Sequence, residues 1–243
     1  VGNGARLNFA PGWLTFGPNG AELDGYTAPI TNVNQIDLPF NTNVTVCGVF
    51  DNLAAIDIRG TWNQDQRRTR LNNAPNGVIN LIHDGGVSSA GIFNWGNCAA
   101  SISESDGARM VNRGRIVKTG SGASRITNSN LDVIGGSVEV LSGTLGGDGL
   151  SNFSSFYQNA SLTVAPSATL AHCYPTQVEG LLTATGGGLV RVVELRGYGA
   201  GGDVDMPPGM LVMQSNACAG YTSTGINGVD APHRGPQRQR VKR

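Results

Sequence analysis

Ser137-Val138-Glu139-Val140-Leu141-Ser142-Gly143-Thr144-Leu145 alternates apolar and polar residues, breaks on Ser-Gly and resumes on a second short apolar strand end. Successive side chains of a strand point to opposite faces, so Val138 and Val140 share one side and Glu139 takes the other. Comparable segments flank it. Arg115-Ile116-Val117-Lys118 comes before, and Ser161-Leu162-Thr163-Val164 and Gly180-Leu181-Leu182-Thr183-Ala184 come after, with starts 22, 24 and 19 residues apart. Ser161–Val164 also leads to a small-residue corner and a strand end, Ser167-Ala168-Thr169-Leu170. Alternating segments joined by small corners at a period near twenty predict a β-solenoid, whose coils turn one set of side chains inward and stack it on the coil below. Val138, Val140, Leu162 and Val164 are the expected core positions.

Two of these stretches, Asn112-Arg113-Gly114-Arg115-Ile116-Val117-Lys118-Thr119-Gly120-Ser121-Gly122 and Gly136 through Leu145, resemble coils of right-handed parallel β-helices from surface adhesins and autotransporter passengers. Ser161 through Leu170 is similar to the strand–corner–strand repeat of the same proteins. The resemblance covers roughly residues 110–195 and implies a fold more than an activity, because the same coil serves adhesins, fibres and polysaccharide enzymes.

Towards the N-terminus the strand-like segments are less repetitive: Leu7-Asn8-Phe9, Trp13 to Phe16, Val44 to Phe50, Ala55 to Ile58, Val78 to His83 and Ile92 to Trp95. Gly17-Pro18-Asn19-Gly20 and Asn76-Gly77 supply turns. The expected architecture is therefore all-β, a parallel β-helix or solenoid with loop-rich N-terminal coils or a cap over residues 1–60. A solenoid body spans 61–213, and a Gly/Thr-rich linker with a basic tail spans 214–243. The polar stretch Gln64 to Asn73, with Arg67 and Arg70, is expected to project as a loop.

Composition narrows the function. In 243 residues there are 36 glycines, and charged residues make up only 14%, which suits short strands and tight turns better than helices. The formal charge is zero, yet five basic residues and no acidic one follow His233. Removing those five from seventeen leaves twelve basic against seventeen acidic residues, so the body carries −5. A mildly acidic body with few lysines argues against nucleic acid as a partner. No apolar run approaches the ~20 residues that cross a bilayer, so no direct membrane insertion is expected.

The stretch Arg240-Val241-Lys242-Arg243 resembles a furin-type cleavage site, and the sequence begins on Val1. Together they predict a processed segment of a precursor that passes through a secretory pathway, with the tail extended and accessible to the protease. Cys47, Cys98, Cys173 and Cys218 form no Cys-x-x-Cys motif, and an even count in a secreted chain predicts disulfides. Three connectivities are open, and Cys47–Cys98 with Cys173–Cys218 joins the nearer neighbours. Asn43, Asn152 and Asn159 each begin an Asn-x-Ser/Thr sequon, a glycan acceptor in that compartment.

Chemistry is harder to find. Asp132, Glu139, Asp148, Glu179 and Glu194 are scattered singly, whereas glycoside hydrolysis needs grouped carboxylates. His83-Asp84 and His172 fit strand ends, and Asp203-Val204-Asp205 lacks the third acidic ligand of a calcium loop. No catalytic, cofactor-binding or metal-binding residue is assigned, and no cofactor is expected. Trp13, Trp62, Trp95, Tyr26, Tyr157, Tyr174 and Tyr198 would serve either core packing or sugar stacking. The expectation is a non-enzymatic extracellular structural or adhesive module that assembles into a fibre, coat or surface appendage. Its partners would be other segments of the precursor or identical subunits, a furin-like protease and glycans. The alternatives are a viral fibre or spike subunit matured by host furin, a carbohydrate-active β-helix enzyme and a sugar-binding module.

Overall fold

A computed structural model of the chain is all-β, with parallel strands stacked as a solenoid. It describes residues 5–9, 14–17, 21–65, 69–83, 91–96, 109–126, 130–146, 155–172, 175–213 and 238–241. Each coil crosses three stacks of parallel strands in turn. One coil, for example, runs through Arg109–Asn112, Arg115–Thr119 and Ala123–Ile126, and the next through Asn130–Ile134, Ser137–Val140 and Thr144–Leu145. Equivalent strands of the two coils pair in register. The strands from Arg6 to Ile58 pair in parallel in the same way, both with one another and with the strands that follow.

Period-two alternation becomes three-sided burial. On the second stack Ile36, Ile56, Ile79, Ile116, Val138 and Leu162 lie over one another, all buried. Val140 and Val164 form the next inward row and are fully buried, as the alternation requires. The fourth sequence repeat, however, is shifted. Ser161 pairs with Thr183, not Gly180, so Leu162 lies over Ala184. Pairing advances 21 residues from Gln158 to Glu179 and 22 from Ala160 to Leu182, where Gly180 and Leu181 fill a corner that Asn159 fills alone; the sequence repeat, advancing 19, falls three residues short. The stretch from Gln64 is also not a projecting loop where it is described. Gln64 and Asp65 end the strand Thr61–Asp65, Thr69 is buried, and Arg70–Asn73 is a strand whose Asn73 points into the core. Polarity misleads there because the coil corner needs buried amides.

Those amides form a ladder. Asn32, Asn52, Asn73 and Asn112 occupy one inward row at the end of the first-stack strands and are fully buried. Each Nδ2 donates to the Oδ1 of the next: Asn32 to Asn52 at 2.8 Å, Asn52 to Asn73 at 2.8 Å and Asn73 to Asn112 at 2.7 Å. Asn112 ends the chain of bonds on the Ser137 carbonyl at 2.9 Å, and the Asn34 N–H donates to Asn32 Oδ1 at the other end. The same Nδ2 groups also donate to carbonyls of the corner, including Ala54, Gly77 and Arg115. Corner carbonyls such as Ala54 and Gly77, which also accept from the Val78 and Arg115 N–H groups at 2.7 and 3.0 Å, gain a second donor this way. Lys118 does related work at another corner: it points inward, is fully buried, and its Nζ donates to the carbonyls of Thr119 and Gly120.

The outer rows are also tied coil to coil. Arg59 is paired with Asp37, Asn80 donates to Asp57 at 2.6 Å, Asn72 to Asp51 at 2.8 Å, and Arg115 grips Glu139 through two bonds of 2.8 Å. The guanidinium holds the Glu139 carboxyl below its ordinary value. Beyond the last coil, Arg238–Val241 runs antiparallel along Gly202–Asp205, with Arg240 opposite Asp203 and Arg238 opposite Asp205. The tail is thus extended as expected, but its backbone is paired and not free. An end coil presents unpaired N–H and C=O groups, and this strand pairs with them. Among the described residues there is no helix, hence none long and apolar enough to cross a membrane.

Replacing Asn73 with Leu removes a ladder member bonded on both sides and leaves buried partners unsatisfied. The expected cost is about 2–4 kcal/mol in urea denaturation. Asn32→Leu should cost less, since Asn52 Oδ1 keeps a contact from the Ala54 N–H at 3.4 Å.

Candidate ligand-binding cavity

On the outer side of the first stack, residues from successive coils enclose a cavity of about 260 Å³. Outward positions of neighbouring strands supply it. Asp132, Phe156 and Gln177 are consecutive members of one outer row. Arg109 and Asn130 face each other two residues earlier along the strands, and Tyr198 follows the paired Gly197. Phe156 and Tyr198 meet edge to face, with centroids 5.4 Å apart and planes at 79°. Tyr198 is 54% exposed. Arg109 Nε donates to Asp132 Oδ2, and that carboxylate is almost covered while the guanidinium is half exposed. The cavity therefore combines two aromatic walls, two amides and a balanced ion pair.

Beneath it lies a polar network in the core. Ser155, which also lines the cavity, and Thr176 interrupt an inward row that is otherwise Ile30, Phe50, Leu71, Met110, Leu131 and Leu195. His172 reaches them from the third stack, with Nδ1 3.3 Å from Ser155 Oγ and Nε2 3.0 Å from Tyr157 Oη. Ser155 Oγ donates to Thr176 Oγ1 at 3.1 Å. The imidazole thus lies between two hydroxyls, one at each ring nitrogen. A neutral imidazole provides one donor and one acceptor to them. Burial pushes the His172 pKa down to about 4 and the Tyr157 hydroxyl upward. The serine–histidine contact resembles a nucleophile with its base, but both residues are buried in the core.

The residues expected from sequence are spread over the molecule. Cys47 is fully buried in the strand Asn43–Asn52 and disulfide-bonded, and its partner falls outside the described residues, as do Cys98, Cys173 and Cys218. Asn43 is exposed at the start of that strand, and Asn152 lies outside the described residues. Asn159 is exposed in a left-handed corner (φ 47°), where its Oδ1 accepts from the Leu181 N–H at 3.2 Å. Asparagine tolerates that conformation, so this sequon has a structural use in addition to any glycan. Arg240 and Val241 belong to the tail strand, while Lys242 and Arg243 lie outside the described residues. Glu139 faces outward on Arg115, and Asp203 and Asp205 lie on the strand that receives the tail. His83 is buried beside Phe40, with ring centroids 6.4 Å apart. Among the aromatics, Trp62 and Tyr157 are core and Tyr198 is surface. Among the described residues no group of three His, Cys, Asp or Glu side chains is arranged to hold a metal ion.

The cavity went unseen in the sequence because Arg109, Asp132, Phe156, Gln177 and Tyr198 come together only through coil register. Compared with known proteins, the chain matches no family model, no curated protein and no solved structure.

His172 gives the fold a defined acid sensitivity. Its folded-state pKa lies below the ordinary 6.5, so the unfolded chain binds the proton first as pH falls. This group leaves stability unchanged above about pH 6.5, lowers it progressively down to about pH 4, and lowers it no further below that. The full loss is on the order of 3 kcal/mol. Urea titrations across this window should show the slope, and His172→Gln should flatten it by about one proton.

Proposed function

We propose that this chain is a non-enzymatic extracellular module with a structural and adhesive role, processed from a secreted precursor by a furin-like protease. As a stiff rod of stacked coils it would join identical subunits or other precursor segments in a fibre, coat or appendage. The observation that supports this most is the bonding of polar groups between coils, inside and outside. The asparagine ladder, Lys118 through the Ser142 carbonyl at 3.4 Å, and the outer carboxylate pairs each cross-link the stack. Side chains spent in this way stiffen a rod and leave little free for chemistry. Asp37 and Asp57 do sit side by side on adjacent coils, the arrangement a glycosidase would need. Arg59 holds the first, however, and Gln35 and Asn80 hold the second.

Secretion is supported by the disulfide at Cys47, since such bonds persist in oxidising compartments. Cleavage is supported by the Arg-Val-Lys-Arg pattern. Because Arg238–Val241 pairs with the last coil, a protease acting there must first unpair that strand. A viral fibre or spike subunit matured by host furin rests on the same two features.

The assembly role makes a direct prediction. Deleting residues 231–243 uncovers the Gly202–Asp205 edge, and unpaired edges recruit other strands. Sedimentation velocity should show the shortened chain associating at lower concentration than the full one. A shortened chain that stays monomeric at every concentration would remove the case for edge-to-edge assembly.

A further inference from the structure

We infer that the cavity bounded by Phe156, Tyr198, Arg109, Asp132, Asn130 and Gln177 is a binding site for one ring of a neutral saccharide. The proposal rests on the adhesive part of the reading above and gives it a location. Three properties of the cavity select this ligand class.

The first is shape. Its volume of about 260 Å³ falls below the ~300–1,000 Å³ of pockets that enclose drug-sized ligands. Phe156 and Tyr198 are set at 79°, so they do not make a flat platform along which an extended glycan could lie. They make a corner, with one ring as floor and the other as wall, and a corner holds a single ring or a chain end. The second property is the mixture of surfaces. A pyranose has an apolar C–H face and a rim of hydroxyls that both donate and accept. The aromatic corner suits the face. The rim is suited by the amide of Gln177, which has no hydrogen-bond partner among the described residues, and by the terminal nitrogens of Arg109, which its Nε bond to Asp132 leaves unused.

The third property is charge. Arg109 is balanced by Asp132, and Arg196, which follows Gln177 in the same outer row, by Glu194 through bonds of 2.7 and 2.9 Å. Glu179 stands beside Gly199, so close that a Cβ there would come within 2.4 Å of its Oε1. The rim has no net positive field, and a uronate or sialylated sugar would meet carboxylates. An extended peptide is disfavoured for a separate reason. The strands that carry Asp132, Phe156 and Gln177 pair on both sides, so the cavity floor offers no backbone edge for strand addition.

Saturation-transfer NMR on the intact chain tests this against neutral gluco-, manno-, galacto- and N-acetylated oligosaccharides, with uronate and sialylated ones alongside. Transfer from at least one neutral class is expected. Tyr198→Ala should weaken it about tenfold, whereas Tyr198→Phe should change it less than about threefold. Tyr198 is exposed, so the variants should melt with the wild type, and a Phe156→Ala variant provides a second probe of the corner. If the wild type binds a neutral saccharide and Tyr198→Ala binds it equally, the site is wrong although the adhesive role survives. If only acidic sugars bind, or none does, the proposal is overturned. The assembly role stands or falls separately on sedimentation.

Discussion

The asparagine ladder is the constraint on which the rest of the solenoid depends. Parallel stacking alone does not fix register, because a strand slipped by two residues still presents the same face. An amide chain does. Asn32, Asn52, Asn73 and Asn112 each donate onward in the same direction, so slipping any coil strands a buried donor and a buried acceptor at once. With that corner locked, the isoleucines at 36, 56, 79 and 116 fall one above another without further instruction.

Beyond Asn112 the same inward row continues as Val133, Tyr157 and Val178, and the means of fixing register changes with it. The Ser155–Thr176–His172–Tyr157 network takes over, tying the first stack to the third instead of coil to coil along one row. The cavity on the outer surface sits over this second device. Phe156 is therefore carried by a strand whose inward side chains, Ser155 and Tyr157, are already pinned, which is the kind of support that keeps a recognition surface in place.

How much of this was legible in the sequence depended on whether the signal was local. Alternation in Ser137–Val140 and Ser161–Val164 is local, and it identified both the fold and the buried valines. The offset of the fourth repeat was not legible, because Gly180-Leu181-Leu182 offers an apolar match three residues ahead of the paired Thr183. The ladder leaves a trace in its spacings of 20, 21 and 39 residues, but the last interval includes the stretch between Ile82 and Arg109 and hides the period. His172 and Tyr157 meet across two stacks, and Arg109 and Tyr198 border one cavity from opposite ends of several coils. Neither proximity has a sequence signature. The tail's basic residues were legible as charge, but their pairing depends on an edge that exists only once the coils have formed.

Because each rung of the ladder is chemically the same as the one below, a coil is an interchangeable unit. The Oδ1 that Asn52 offers to Asn32 is the same group that Asn73 offers to Asn52. Excising the twenty residues from one asparagine to the next would rejoin like to like, and duplicating them would do the same. Length in this molecule is therefore close to a free variable, fixed by the number of coils. What cannot be copied or lost so freely is the stretch around His172, where the rungs differ from one another and each has a single proper neighbour.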